Sequence, residues 1–88
     1  MALDPRHVRV LTVDDQERFR AAARMLVEAT PGFCSAGEAS TGEDGVATAL
    51  REDVDLVLMD VRLPGIDGIE ATRRVPRARP QTEAVLAS

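Results

Sequence analysis

Three acidic side chains stand where parallel β-strands would end. Asp60 directly follows the apolar run LVLM, and the adjacent pair Asp14 and Asp15 follows the run VRVLTV. The carboxyl ends of parallel strands meet at one edge of a sheet, and in open α/β folds ligands gather there. We therefore expect the three carboxylates to lie together. Ser88, the last residue of a further predicted strand, should reach the same edge.

Carboxylates brought this close repel one another unless a cation lies among them. Mg²⁺ suits such a site, because it binds a few carboxylates together with water and phosphate oxygens. An aspartate beside the ion can also act as a nucleophile toward phosphorus. The residues alone thus favour phosphoryl transfer onto Asp60. The alternative is that Asp14 or Asp15 only caps the first helix.

The elements that position these acids follow from apolar periodicity and from glycine and proline punctuation. Strands are predicted over residues 8–13, 33–39, 56–60 and 84–88. Helices are predicted from the acid pair to about Glu28, from a Thr41 cap onward, and from Ile69 to a point before Pro76. Right-handed crossovers then give an α/β fold, a three-layer parallel sheet with helices on both faces.

The second predicted strand is poor in β-branched residues, so we place it near an edge of the sheet. Helical spacing predicts one apolar face on the first helix, formed by Phe19, Ala22, Ala23 and Leu26. The same spacing predicts inward-facing residues on the second helix, namely Val46, Ala47 and Leu50.

The composition of the chain argues against several classes of function. The 88 residues carry a formal net charge of −4, which argues against a nucleic-acid-binding surface in this segment. A single cysteine, Cys34, cannot form an internal disulfide, and no run reaches membrane-spanning length, so the cytoplasm is the expected location. All 11 basic residues are arginines.

Two blocks of the sequence make a family resemblance visible. LTVDDQERFR is similar to the first strand and acidic pair of the receiver domain of bacterial two-component response regulators. DLVLMDVRLPGIDGIEATRRV resembles that domain's phosphoacceptor strand, loop and third helix, and its GIDGIEATRR portion is most similar to NarL/LuxR-type regulators. The resemblance implies a flavodoxin-like receiver fold and covers nearly all of residues 8–88.

The resemblance assigns expected roles residue by residue. Asp60 matches the phosphoacceptor and Asp15 the principal acidic ligand of Mg²⁺. Asp14 matches the neighbouring acid, which often binds the ion through water. Arg62 stands where the family supplies a backbone carbonyl to the metal. Ser88 falls at the position of the switch hydroxyl that hydrogen-bonds the phosphoryl group.

The loop residues Pro64 and Gly65 also match, but the resemblance implies further elements that this sequence lacks. A complete receiver continues with a helix, a fifth strand that ends in a lysine, and a last helix, and an output domain follows. Residues 1–88 contain no lysine and are therefore expected to form a partial receiver domain. The implied partners are a sensor histidine kinase and, through the missing output domain, DNA. An exposed sheet edge or face is also expected to cause self-association.

Two other functions stay open on the sequence. A small Mg²⁺-dependent phosphohydrolase would usually carry a second acid two residues after its nucleophile, and Arg62 stands there instead. A phosphorylation-independent interaction module is the stronger rival, because the lysine of a complete receiver is missing. A response to Mg²⁺ that depends on Asp15 discriminates between this rival and the phosphoacceptor.

Overall fold

The computed structural model describes residues 7–63 and 65–87. Four strands alternate with three helices in the predicted order: β1 (Val8–Val13), α1 (Glu17–Glu28), β2 (Phe33–Ala39), α2 (Gly42–Arg51), β3 (Leu56–Asp60), α3 (Gly68–Ala78) and β4 (Glu83–Ala87). Among these residues no helix combines the length and the apolar character needed to cross a lipid bilayer.

The strands form one parallel sheet in the order β2-β1-β3-β4. β1 and β3 are therefore interior neighbours, and β2 lies at an edge as predicted. The chain moves outward from β1 to β2 and then in the opposite direction through β3 to β4. With the right-handed crossovers that parallel strands adopt, this reversal places α1 on one face of the sheet and α2 with α3 on the other; accordingly α2 packs on α3, and α1 packs on neither.

The main core lies between the sheet and the α2–α3 pair. Side chains from β1 and β3 meet small and β-branched residues of the two helices there, with little or no exposed surface. This core contains Leu11, Val13, Val57 and Met59 from the strands and Ala49, Ala71 and Val75 from the helices. It fixes the two central strands side by side, and these are the strands that carry the acids.

The inward face of α2 differs from the prediction. Gly45 and Ala49 are buried and Val46 is half-buried, whereas Ala47 and Leu50 are exposed. A β-carbon added at Gly45 would lie only 2.8 Å from a methyl carbon of Val13. The helix therefore lies so close to β1 that small residues must face the sheet, and the larger apolar residue is turned away.

The predicted apolar face of α1 packs on the sheet only in part. Phe19 and Leu26 are 49% and 70% exposed, while Val27 is buried and Ala23 is half-buried. The helix is rotated so that Arg20, Ala23 and Val27 face the sheet. Within residues 7–63 and 65–87, α1 packs only on β1 and β2, so no further element covers Phe19 and Leu26.

α3 runs through Pro76 to Ala78, so the prediction that it ends before this proline is wrong. A proline inside a helix has no N–H to donate to the preceding turn. Here the loss falls within the last turn, where the backbone N–H of Arg79 still donates to the carbonyl of Val75 at 2.8 Å. One missing hydrogen bond near the helix end is therefore tolerated.

Candidate metal and phosphoacceptor site

Strand pairing places the acids at one edge of the sheet. Asp60 is the last residue of β3 and pairs with Ala87 of β4. Asp14 follows the last residue of β1, and its backbone N–H donates to the carbonyl of Ala39 at 3.0 Å. Val13 of β1 pairs with Met59 of β3, so the β1–α1 loop leaves the sheet beside the end of β3.

The three carboxylates predicted to meet are close together. One oxygen from each of Asp14, Asp15 and Asp60 can be chosen so that all three lie within 4.8 Å of one another. Asp15 is exposed and the other two are half-buried. They open into a cleft of about 480 Å³, whose lining also includes Gln16, Phe19, Arg62 and Ala87.

The carboxylates have few protein partners. The backbone N–H of Gln16 donates to Oδ1 of Asp14 at 2.9 Å, so neither acid of the pair is the N-cap residue of α1. The backbone N–H of Arg62 donates to Oδ1 of Asp60 at 3.3 Å. Among the described residues, none of the three acids forms an ion pair. Three unneutralised carboxylates with free oxygens form a donor set that fits Mg²⁺.

The remaining predicted site residues have different outcomes. Arg62 lines the cleft through the loop after β3, and its backbone N–H already contacts Asp60. Ser88 and Pro64 lie outside the described residues. Ala87, the last described residue of β4, is beside Asp60 at the rim.

The loop between β3 and α3 is held in part by Glu43, which the sequence did not single out. Glu43, in the first turn of α2, accepts a hydrogen bond from the backbone N–H of Ile66 at 3.2 Å. Gly65 lies against the same carboxylate with a φ of +79°, a conformation that favours glycine. A β-carbon at Gly68 would overlap the carbonyl oxygen of Asp60. α2 and the start of α3 thus fix the backbone around the acid.

Asp67 caps α3, because its side chain accepts a hydrogen bond from the backbone N–H of Glu70 at 2.8 Å. Arg20 of α1 is a further residue that sequence spacing did not reveal. Its guanidinium donates to the backbone carbonyl of Asp14 at 2.8 Å. The contact from Arg20 holds the backbone at the edge of the sheet where the acids meet.

A four-stranded parallel sheet with three helices and an acidic carboxyl edge defines a flavodoxin-like fold of the receiver type. The family model for the response regulator receiver domain matches residues 10–88. The chain therefore belongs to the response regulator receiver domain family, a component of two-component signal transduction. The predicted family is confirmed.

Named relatives agree with this assignment. The response regulator UvrY of Escherichia coli K12 is 43% identical over 79 residues, covering 90% of this chain and 36% of that protein. The transcriptional regulatory protein LiaR of Bacillus subtilis is 43% identical over 70 residues, covering 80% of this chain and 33% of that protein. This chain thus spans about a third of the length of these relatives.

Solved structures show the same fold. A LuxR-family two-component response regulator from Aurantimonas superposes with a TM-score of 0.82 at 32% identity, covering 89% of this chain and 56% of that one. The response regulator domain of Thermotoga maritima CheB superposes with a TM-score of 0.85 at 28% identity, covering 92% of this chain and 60% of that one. Together they support the NarL/LuxR-type resemblance and the flavodoxin-like fold.

Proposed function

We propose that this chain accepts a phosphoryl group on Asp60 in a reaction that requires Mg²⁺. The observation that carries the proposal is the convergence of three carboxylate oxygens within 4.8 Å at the ends of β1 and β3, in a chain of the receiver family. Asp14, Asp15 and Asp60 would hold the ion. The bound ion would offset negative charge on the transferring phosphoryl group.

The chemistry follows from the position of Asp60. A carboxylate oxygen of Asp60 attacks the phosphorus of the donor, and the new O–P bond forms as the donor's bond to phosphorus breaks. With a phosphohistidine donor the bond that breaks is N–P, and the imidazole nitrogen leaves with the electron pair and takes up a proton. The product is an aspartyl phosphate.

Two further roles belong to this proposal. The backbone carbonyl of Arg62 would complete the protein ligands of the ion, because Arg62 lines the same cleft. The hydroxyl of Ser88 would donate a hydrogen bond to the phosphoryl group, because Ser88 follows the strand residue that pairs with Asp60.

The partners proposed for the intact protein come from the family. A sensor histidine kinase would supply the phosphoryl group in the cytoplasm, and an output domain outside these 88 residues would bind DNA. Relatives such as the transcriptional regulatory protein LiaR support the second part. The proposed role of residues 1–88 is that of a partial receiver domain.

The test is labelling with acetyl phosphate in the presence of Mg²⁺. Asp60→Asn should abolish labelling, because an amide is a poor nucleophile toward phosphorus. Asp44→Asn is the matched control, since Asp44 is an exposed acid in the first turn of α2, outside the cluster, and should label like the wild type. Undiminished labelling of Asp60→Asn would exclude Asp60 as the acceptor.

A phosphorylation-independent interaction module is the second candidate. It is favoured by one observation, the exposed apolar side chains Val85 and Leu86 of β4, because such a surface can bind another protein without phosphorylation. Titration with Mg²⁺ discriminates between the two. A metal response that Asp15→Ala removes supports the phosphoacceptor, whereas no response in the wild type supports the interaction module.

Self-association is also proposed, with a second copy of this chain as the partner. β4 is an edge strand of the described sheet, and its Val85 and Leu86 are 46% and 41% exposed. An edge strand presents unpaired backbone groups to which another strand can bind. The exposed apolar side chains would add buried area to such a contact.

A further inference from the structure

Arg20 links α1 to the loop that carries the acid pair. Its Nη1 donates to the backbone carbonyl oxygen of Asp14 at 2.8 Å. The side chain is only 18% exposed, although it carries a full positive charge. A guanidinium held this far from water, and directed at a backbone carbonyl, is a fixed part of the loop structure.

The carbonyl that Arg20 contacts belongs to the peptide bond between Asp14 and Asp15. Because a peptide unit is planar, a donor at its oxygen also fixes the orientation of the Asp15 nitrogen and α-carbon. Asp14 is held at two other points, by the N–H that it donates to Ala39 and by the hydrogen bond that its Oδ1 accepts from Gln16. The hydrogen bond from Arg20 to the carbonyl of Asp14 is the third restraint on this residue.

Arg20 is itself anchored to the sheet. Its Nε donates to Oε1 of Glu38 on β2 at 3.2 Å, and Nη1 of Arg24 donates to Oε2 of the same carboxylate at 2.7 Å. The planar guanidinium therefore holds the strand with one nitrogen and the acidic loop with another. A lysine ammonium lacks this fork geometry.

We propose that Arg20 is a positioning residue for the Mg²⁺ site, which it serves by fixing the peptide that joins the two acids. The inference rests on the proposed function. Arg20 is not a ligand, because a guanidinium has no lone pair to offer a metal. It acts through the orientation of Asp15, the most exposed of the three acids and the one without a hydrogen bond among the described residues.

The sign of the change in Mg²⁺ affinity distinguishes a positioning role of Arg20 from a purely electrostatic one. A cation beside an acidic cluster repels Mg²⁺, so removing Arg20 would strengthen metal binding if only its charge mattered. Positioning predicts the opposite. Residues that orient metal ligands typically contribute tenfold or more to affinity, so Arg20→Ala should weaken Mg²⁺ binding about tenfold.

The experiment is a Mg²⁺ titration of the 88-residue chain, followed by the amide chemical shifts of residues 14–16. We expect Arg20→Ala to weaken binding, and Arg20→Lys to weaken it less while also falling below the wild type. Arg74→Ala is the matched control: it removes the same charge and also breaks an ion pair, with Glu70 at 3.0 Å, and should bind Mg²⁺ like the wild type. Binding by Arg20→Ala that equals or exceeds the wild type would overturn the proposal.

Two more measurements distinguish a loss of positioning from a loss of folding. In the metal-free chain, the Asp15 amide shift should change in Arg20→Ala and stay unchanged in Arg74→Ala. If Arg20→Ala does not fold, Glu38→Gln weakens only the anchor and should still reduce Mg²⁺ affinity; unchanged affinity in that variant overturns the proposal. Failure of the wild type to bind Mg²⁺ would instead refute the proposed function itself, and the positioning role with it.

Discussion

At the scale of single residues, the site is a set of carboxylates that form no ion pair with any residue in the described ranges 7–63 and 65–87. Asp14 and Asp60 each accept one backbone N–H, while Asp15 is exposed. An exposed carboxylate costs little to keep charged and can turn toward an arriving cation. Asp15 is therefore the side chain through which the metal dependence is best tested.

Asp15→Ala should reduce Mg²⁺ affinity by at least tenfold, because it removes a carboxylate ligand. Isothermal calorimetry measures the change directly. Asp44→Ala, which removes an acid of equal charge on the surface of α2, should leave the affinity within about twofold, since Asp44 is outside the cluster and solvent and salt screen an exposed charge. Equal losses in both variants would mean that overall charge, and not the cluster, attracts the ion.

The acidic residues of the site were predictable from the sequence because the ends of the strands determine their positions. An acid that directly follows an apolar run must lie at the carboxyl edge, which is why Asp14, Asp15 and Asp60 could be grouped before the fold was known. Arg20 and Glu43 could not be grouped with them. Their contacts join different elements, Arg20 to Glu38 of β2 and Glu43 to the loop before α3, and no local spacing encodes such pairs.

At the scale of elements, strand bounds followed closely from the apolar runs, whereas helix faces did not. α2 turns its small residues inward because Gly45 lies against Val13. Apolar periodicity ranks residues by size and polarity, and therefore it selects Leu50, which the close approach excludes. α1 shows the same limit, since periodicity places Phe19 and Leu26 on the inward face and both are exposed.

Gly68→Ala tests how closely α3 supports the site. The added β-carbon would overlap the backbone carbonyl of Asp60, which cannot move without displacing the end of β3. We expect a loss of about 1–3 kcal/mol in the free energy of unfolding, together with weaker acetyl-phosphate labelling. Chemical denaturation and labelling measure the two effects.

Gly32→Ala is the matched control for that substitution. Unlike Gly68, Gly32 has a positive φ, of +86°, but open space surrounds its β-carbon position, and it lies in the turn before β2, at the opposite end of the sheet. Gly32→Ala should lower the free energy of unfolding by about 1 kcal/mol and leave acetyl-phosphate labelling unchanged. Normal labelling in Gly68→Ala would show that the close approach does not matter for Asp60.

Pro76→Ala should stabilise the protein. Inside a helix, proline is about 3 kcal/mol less stable than alanine. Because Pro76 lies near the end of α3, this penalty is smaller. We therefore expect the free energy of unfolding to rise by about 1–2 kcal/mol. Pro76 is exposed, so alanine loses little packing there. A rise in Tm supports the account of α3, and an unchanged or lower Tm contradicts it.

At the scale of the whole molecule, the residues that the structure describes cover the two faces of the sheet unequally. α2 and α3 bury one face, while α1 leaves apolar surface on the other, where a shallow cleft of about 210 Å³ is lined by residues such as Leu26, Phe33 and Leu58. Val85 pairs with Leu58 across β3 and β4 and extends this surface to the edge. Exposed apolar surface of this kind favours association between copies.

Val85→Glu should therefore reduce self-association. Light scattering of the wild type should show an average mass that rises with concentration, and the variant should stay closer to the monomer because the new charge would be buried in the contact. Ala47→Glu adds the same charge on the exposed side of α2 and should behave like the wild type. A wild-type mass that stays at the monomer value over all concentrations would contradict the proposal.

The most direct test of the central claim is to locate the phosphoryl group chemically. The chain is treated with acetyl phosphate, reduced with borohydride so that any aspartyl phosphate becomes homoserine, and sequenced by mass spectrometry. We expect homoserine at position 60 with Mg²⁺ and none after the ion is chelated. Homoserine at another aspartate, or none at position 60 when Mg²⁺ is present, would contradict the account.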